Sequence, residues 1–340
     1  MLDGVHPQSD ADCLVLGGDW GHLTQHSFPG LLPAITANGM LANYITKGPG
    51  LSAAQLLGKR LLIIFADGYS MEMADYATVD EHGEEAVASR LGPSWMSEQQ
   101  AQELEDWALA GGSLLLLHNS MWGYPIRPHP EPERDPVALL EEMQAVQAVL
   151  SPSSVPMSTQ EADRELLADE ASMGPFRRVC GGIGGYHPAF ERQEVLVADP
   201  DHPITQGVTD FVLHDEQHFV FFDAHKGAQM ILKNRGSDGR ESCAGYVYQH
   251  GLGRVCYLAP GHVLLSSQAV RQPDMVLPPA DEPDAMSHPM VQRLLRNAVR
   301  WLAPPRPGEA LGLLEREVLA LRGQLADAEA RLEAERSARL

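Results

Sequence analysis

Three stretches of the chain are apolar at every position: Cys13-Leu14-Val15-Leu16, Leu61 to Ala66, and Leu114 to Leu117. Short apolar runs without polar alternation read as strands buried on both faces, the situation of a parallel sheet covered by helices on each side. Turn signals close the first two, as Gly17-Gly18 and Asp67-Gly68, and His118-Asn119 follows the third. Helical segments lie between them. Phe28 to Ala37 is one, and a second starts at Ser97, where Ser97-Glu98-Gln99-Gln100 has the capping-box pattern and Gly111-Gly112 provides the stop. This alternation predicts an α/β fold, a mostly parallel sheet with helices on both faces.

The pattern breaks at residues 122–175, where Pro125, Pro128, Pro130, Pro132 and Pro136 precede an amphipathic stretch from Val137 to Leu150. It reads as an insertion over the sheet edge, either a lid or a decorated surface loop. Strand signals then resume at Phe176 to Cys180, Glu194 to Ala198, Phe211 to Phe222, Gln229 to Lys233, Ala244 to Tyr248 and Arg254 to Leu258. The last two are joined by the hairpin-like Gly251-Leu252-Gly253. Ser287-His288-Pro289 starts a helix with an N-cap and an early proline, running to Trp301. Residues 1–303 thus form one α/β domain, and 304–307 (Pro304-Pro305-Arg306-Pro307) a stiff linker. In residues 308–340, Leu314, Val318, Leu321, Leu325, Ala328 and Leu332 recur at alternating spacings of four and three. That seam predicts a coiled-coil helix that makes the protein a homodimer, with a helix folded back on its own domain as the alternative.

Charge narrows the partners. Against 25 basic residues stand 46 acidic ones, a net charge of −21. Such a surface repels phosphate backbones and anionic lipid, so no nucleic acid and no membrane partner is expected. Cys13, Cys180, Cys243 and Cys256 are far apart and form no CxxC pair, which reads as buried free thiols in a reducing compartment. Met1-Leu2-Asp3-Gly4 lacks the basic and apolar regions of a signal peptide, and no run approaches the ~20 apolar residues of a membrane span. The expected location is the cytoplasm.

In a parallel α/β sheet, ligands bind beyond the carboxyl ends of the strands. Asp19 and His22 follow the first strand there, and His118 and Asn119 follow Leu117. His187 follows the glycine-rich Gly181-Gly182-Ile183-Gly184-Gly185, and His262 follows Leu258-Ala259-Pro260-Gly261. Histidines at the ends of four segments predict a shared site. His214-Asp215-Glu216-Gln217-His218 interrupts an apolar strand, and strand alternation puts His214, Glu216 and His218 on one face and Asp215 with Gln217 on the other. Buried, these charges need partners or a ligand; a solvated edge is the other reading. Gly182-Ile183-Gly184 lacks the third glycine of a dinucleotide fingerprint and there is no P-loop, so no nucleotide cofactor is expected. No cysteine sits in a glycine-flanked nucleophile elbow, which argues against glutamine hydrolysis through a thiolate.

His118, Gly181-Gly182, His187-Pro188, His202-Pro203-Ile204-Thr205, Asp215-Glu216, Gly253-Arg254-Val255 and Gly261-His262 occur in this order. Over roughly residues 110 to 303 the chain thereby resembles the ThuA-like (trehalose-utilisation) family. The resemblance implies a flavodoxin-like fold of the class I glutamine amidotransferase-like type, without the amidotransferase cysteine. It also implies a part in the metabolism of trehalose and related disaccharides, including 3-keto sugars. His218, the proline-rich insertion and the tail depart from the family pattern.

Two functions follow as expectations. The first is a hydrolase, lyase or isomerase acting on a carbohydrate or sugar-derived carbonyl compound. Glu216, Asp215 and His118 would be its catalytic groups, and Asp19, Asn119, Gly182 and His187 would bind substrate. A divalent metal, zinc or manganese, would be held by some of His22, His118, His187, Glu216 and His262, with Asp215 or Asp19 orienting a ligand or acting as base. Hydrogen bonding of a neutral sugar by the same histidines is the metal-free alternative. The second is a non-catalytic ligand-binding or assembly protein that uses the fold as scaffold.

Overall fold

A computed structural model describes residues 11–18, 24–46, 51–68, 94–121, 174–184, 190–222, 226–262 and 283–306, together with 312, 318–319, 322, 325–326 and 328–331. Its central element is a nine-stranded sheet in the order β2-β1-β3-β4-β11-β10-β9-β6-β7. The strands are β1 (Cys13–Gly17), β2 (Ala42–Thr46), β3 (Leu61–Phe65), β4 (Ser113–Leu117), β6 (Glu191–Val197), β7 (Phe211–Asp215), β9 (Gln229–Arg235), β10 (Glu241–His250) and β11 (Gly253–Leu258). A two-stranded ribbon pairs β5 (Gly182–Gly184) with β8 (Val220–Phe222).

The α/β expectation holds, but the sheet is evenly mixed rather than mostly parallel. From β2 to β11 every pairing is parallel. From β11 to β7 every pairing is antiparallel. The tight Gly251-Leu252 connection between β10 and β11 is the kind that only antiparallel neighbours allow. The three apolar runs are β1, β3 and β4, buried at every position. Helix α1 (Thr24–Ala37) packs on β1 and on α5 (Pro289–Leu302), which also covers β4 and β11. Helix α3 (Glu98–Leu109) packs on β11, on α2 (Ala53–Leu56) and on α4 (Pro175–Cys180). Ser97 and Gln100 form the reciprocal capping box, and His288 caps α5, its side chain accepting from the Met290 N–H at 3.2 Å.

Two expected strands are corrected. Phe176 to Cys180 belongs to α4, which has Pro175 in its first turn and left-handed Gly181 (φ 64°) as its stop. Phe211 to Phe222 is not one strand: β7 ends at Asp215 and pairing resumes only at Val220. That break carries Glu216 to Phe219 out of the sheet, where face alternation no longer applies.

All four cysteines are buried and unbridged. Burial pushes the thiols up, Cys13 and Cys243 to about 12, so they stay protonated and unreactive at neutral pH. No helix among the described residues is long and apolar enough to cross a membrane. Val318 and Leu325 of the tail are helical and exposed, while Leu314, Leu321 and Leu332 lie outside the described residues, as does 122–173 of the insertion.

Candidate functional site

The site grows from the end of β4. His118, the first residue past it, has φ 53°, a left-handed conformation that costs a non-glycine residue about 1–2 kcal/mol. Three bonds hold it there. Its N–H donates to the Leu258 carbonyl at 2.8 Å, and its own carbonyl accepts from the Tyr257 hydroxyl at 2.8 Å. Its ring Nδ1 lies 2.9 Å from the Ala259 carbonyl oxygen. Facing a carbonyl, Nδ1 must carry the proton, so the neutral ring presents a lone pair at Nε2.

Three groups converge on that lone pair. His218 Nε2 and His262 Nδ1 each stand 3.2 Å from it. Glu216 Oε2 stands 3.3 Å from it, 3.5 Å from His262 Nδ1 and 3.7 Å from His218 Nε2. All four residues are buried, His218 completely. His118, Glu216 and His262 have the spacing of a metal-ligand group.

Asp215, with no exposure at all, organises the cluster from behind. Its carboxylate accepts from the N–H groups of Glu216 at 2.7 Å, Gly261 at 2.9 Å and His262 at 3.4 Å. It also lies 3.8 Å from His118 Nδ1. Burial pushes the Asp215 carboxyl above the usual carboxylate range, against the pull of His118, His262 and the backbone donors. With its oxygens committed to backbone N–H groups, Asp215 is placed to orient the ligands rather than to take a proton. Two buried carboxylates among three imidazoles call for positive charge, either protons on the rings or a metal ion.

This convergence needs a curved sheet. In hydrogen-bonding order β7 is four strands from β11, about 19 Å across a flat sheet. The 2.9 Å contact from the Gly261 N–H to Asp215 therefore means that the antiparallel half curls back over the carboxyl ends of β4 and β11. The segment after β7 is pinned on arrival. Ser242 donates to the His218 carbonyl at 3.0 Å and also bonds Asn234, while Gln217 Nε2 donates to the Arg240 carbonyl at 2.8 Å.

Of the residues expected from sequence, the structure brings together His118, Asp215, Glu216 and His262. Face alternation had set Asp215 apart from Glu216; both reach the cluster because β7 stops between them. His214 instead stacks on Phe190, with centroids 6.3 Å apart. Asn119 is buried in the turn beside His118, and Gly182 pairs with Phe222 through its backbone. Asp19, His22 and His187 lie outside the described residues. His218 was not among the expected ligands, although its place two residues after Glu216 was the available signal.

No protein-family model matches the chain, and no curated protein matches it. Solved structures do. A protein described as ThuA-like, from Parabacteroides merdae, superposes with a TM-score of 0.50 at 14% identity, over 86% of this chain and 90% of that one. The chain has the ThuA-like fold. A second protein described as ThuA-like, from Bacteroides uniformis, gives a TM-score of 0.47 at 11% identity, over 91% and 97% of the two chains. A cold-adapted β-galactosidase from Rahnella sp. R3 gives 0.46 at 12% identity, over 87% of this chain but 32% of the enzyme.

Proposed function

We propose that this ThuA-like protein is a metal-assisted enzyme acting on a sugar or sugar-derived carbonyl compound, of hydrolase, lyase or isomerase type. The convergence of His118, Glu216 and His262 carries the reading. Their donor atoms are 3.2, 3.3 and 3.5 Å apart, and an ion with ligand bonds of about 2.0–2.2 Å at tetrahedral angles separates its ligands by about 3.3–3.6 Å. Imidazole and carboxylate together suit zinc or manganese. Bound there, the ion would polarise a carbonyl or lower the pKa of a bound water. The protein's own part is to hold the lone pairs inward: Ala259 fixes the His118 tautomer, and Asp215 fastens the backbone of Glu216, Gly261 and His262.

The parallel strands run β2-β1-β3-β4-β11, which supports a flavodoxin-like sheet of the class I glutamine amidotransferase-like kind. The strand ending at Leu117 is followed by His118-Asn119-Ser120 rather than by a glycine-flanked cysteine. Sugar use, as in the metabolism of disaccharides and 3-keto sugars, rests on the family resemblance. The free thiols support a cytoplasmic location.

Elemental analysis of protein purified without a histidine tag tests the metal. A stoichiometric ion is expected in the wild type and its loss in His118→Ala and His262→Ala, with turnover of keto sugars abolished by chelators. Substoichiometric metal with chelator-insensitive turnover would leave a metal-free acid–base site. Absence of both metal and turnover would favour the ligand-binding or assembly reading.

We also propose that the tail dimerises the protein through Leu314, Val318, Leu321, Leu325 and Leu332. Light scattering should show the mass falling by half, beyond the loss of the tail itself, when the chain is truncated after Ala303. An oligomeric state unchanged by the truncation removes the idea.

A further inference from the structure

We propose that His218 is a fourth ligand of the same centre, so that three imidazoles and one carboxylate hold the ion and its remaining positions take a bidentate oxygen ligand. This rests on the metal-assisted reading above and goes beyond it in two respects, the ligand set and the chemistry of what binds.

His218 and His262 stand alike to His118 and Glu216, although it is His262 that completes the compact metal-ligand group with them. Each presents a ring nitrogen 3.2 Å from His118 Nε2, and each also approaches Glu216 Oε2. His118 has one lone pair to offer, because its Nδ1 proton is committed to the Ala259 carbonyl. One lone pair cannot accept two good hydrogen bonds, and a carboxylate at 3.3 Å repels it further. A cation attracting all four donors removes the conflict that pairwise hydrogen bonds leave.

His218 is also held like a ligand. Its side chain is wholly buried, and its ring meets His118 edge-on with centroids 4.1 Å apart. Its backbone is tied down by Ser242, itself bonded to Asn234. These contacts fix the backbone that carries the ring, and the ring itself is confined by its packing against His118.

Four protein ligands change which ion and which substrate fit. A tetrahedral zinc ion would be coordinatively closed, as in structural sites. An ion that accepts five or six ligands, such as manganese or cobalt, would retain adjacent free positions. Two adjacent positions suit two oxygens on neighbouring carbons. The substrate class is therefore a vicinal hydroxy-carbonyl or diol, as found along a sugar ring, rather than an isolated carbonyl.

The test uses the full chain stripped of metal and reloaded with Co(II) or Cu(II), and needs no substrate. Copper-site paramagnetic resonance should show three coordinated nitrogens in the wild type and two in His218→Gln. Cobalt affinity should fall about 100-fold or more, beyond the 10–100-fold typical of losing an outer contact. His218→Cys, which can still ligate, should keep the ion and gain a sulfur-to-cobalt charge-transfer band, separating lost ligation from misfolding. Acetohydroxamate, a bidentate oxygen probe, should perturb the cobalt spectrum at far lower concentration than azide.

Three nitrogens and unchanged affinity in His218→Gln would overturn the proposal and leave the three-ligand metal site standing. An equal response to azide and acetohydroxamate would overturn the bidentate substrate class. A wild-type chain that binds neither ion would overturn both this inference and the metal-assisted reading.

Discussion

Asp215→Ala is expected to cost about 3–5 kcal/mol of folding stability, the usual penalty for removing one side of a buried charged network. The carboxylate accepts from the Glu216, Gly261 and His262 N–H groups, at 2.7, 2.9 and 3.4 Å, in a place water does not reach. Those donors join the end of β7 to the end of β11, so their loss releases the curled half of the sheet as well as the cluster. Asp215→Asn should cost less, because the amide oxygen still accepts while its NH2 faces a donor. Urea denaturation measures both, and a loss below about 1 kcal/mol in the alanine variant would show that the network is not holding the curl.

Gly253→Ala should be of comparable size. A Cβ there would meet the Gly112 carbonyl oxygen at 2.1 Å and the Ala108 carbonyl oxygen at 2.5 Å, both of them backbone atoms that no side-chain rotation can clear. The start of β11 would have to move away from β4, at a cost of about 3 kcal/mol or more. Gly239→Ala is the control. Nothing lies within 4 Å of its Cβ, and only the left-handed φ of 81° opposes it, a strain of about 1–2 kcal/mol. Thermal melts rank the two, and an equal loss would mean that the close approach of β11 to Gly112 is tolerated. The Gly-Arg-Val element of the family resemblance thus has a steric reason in this chain: only glycine fits where β11 begins.

What the sequence disclosed follows from which interactions are local. Leu61 to Phe65 and Leu114 to Leu117 announce themselves because central parallel strands are apolar on both faces. The Ser97 capping box is four consecutive residues. Edge strand β2, Ala42-Asn43-Tyr44-Ile45-Thr46, is half-buried and mixed in polarity, and it gave no such run. Helix α4 has six residues, too few to display a helical period, and its Phe and Val resemble a strand; Pro175 before it and Gly181 after it were the better signal. His118, Glu216 and His262 could be named as strand-end or strand-interrupting polar residues. Strand alternation sets His218 beside Glu216, but its meeting with His118 and His262 depends on where β7 stops and on how far the sheet curls. Both depend on pairing between distant strands.

The curl also bears on how the chain reaches its native state. His118 meets His218 across 100 residues and His262 across 144, so the cluster exists only after every intervening strand has found its place. Long-range pairings of this kind come late and slowly, because loop entropy is spent before any contact returns it. An ion bound only to the finished cluster would act as a thermodynamic latch on the whole topology, adding about 2.7 kcal/mol when free metal is 100-fold above its dissociation constant. The resistance of this domain to unfolding would then follow the free metal of its surroundings, whether or not a substrate is present.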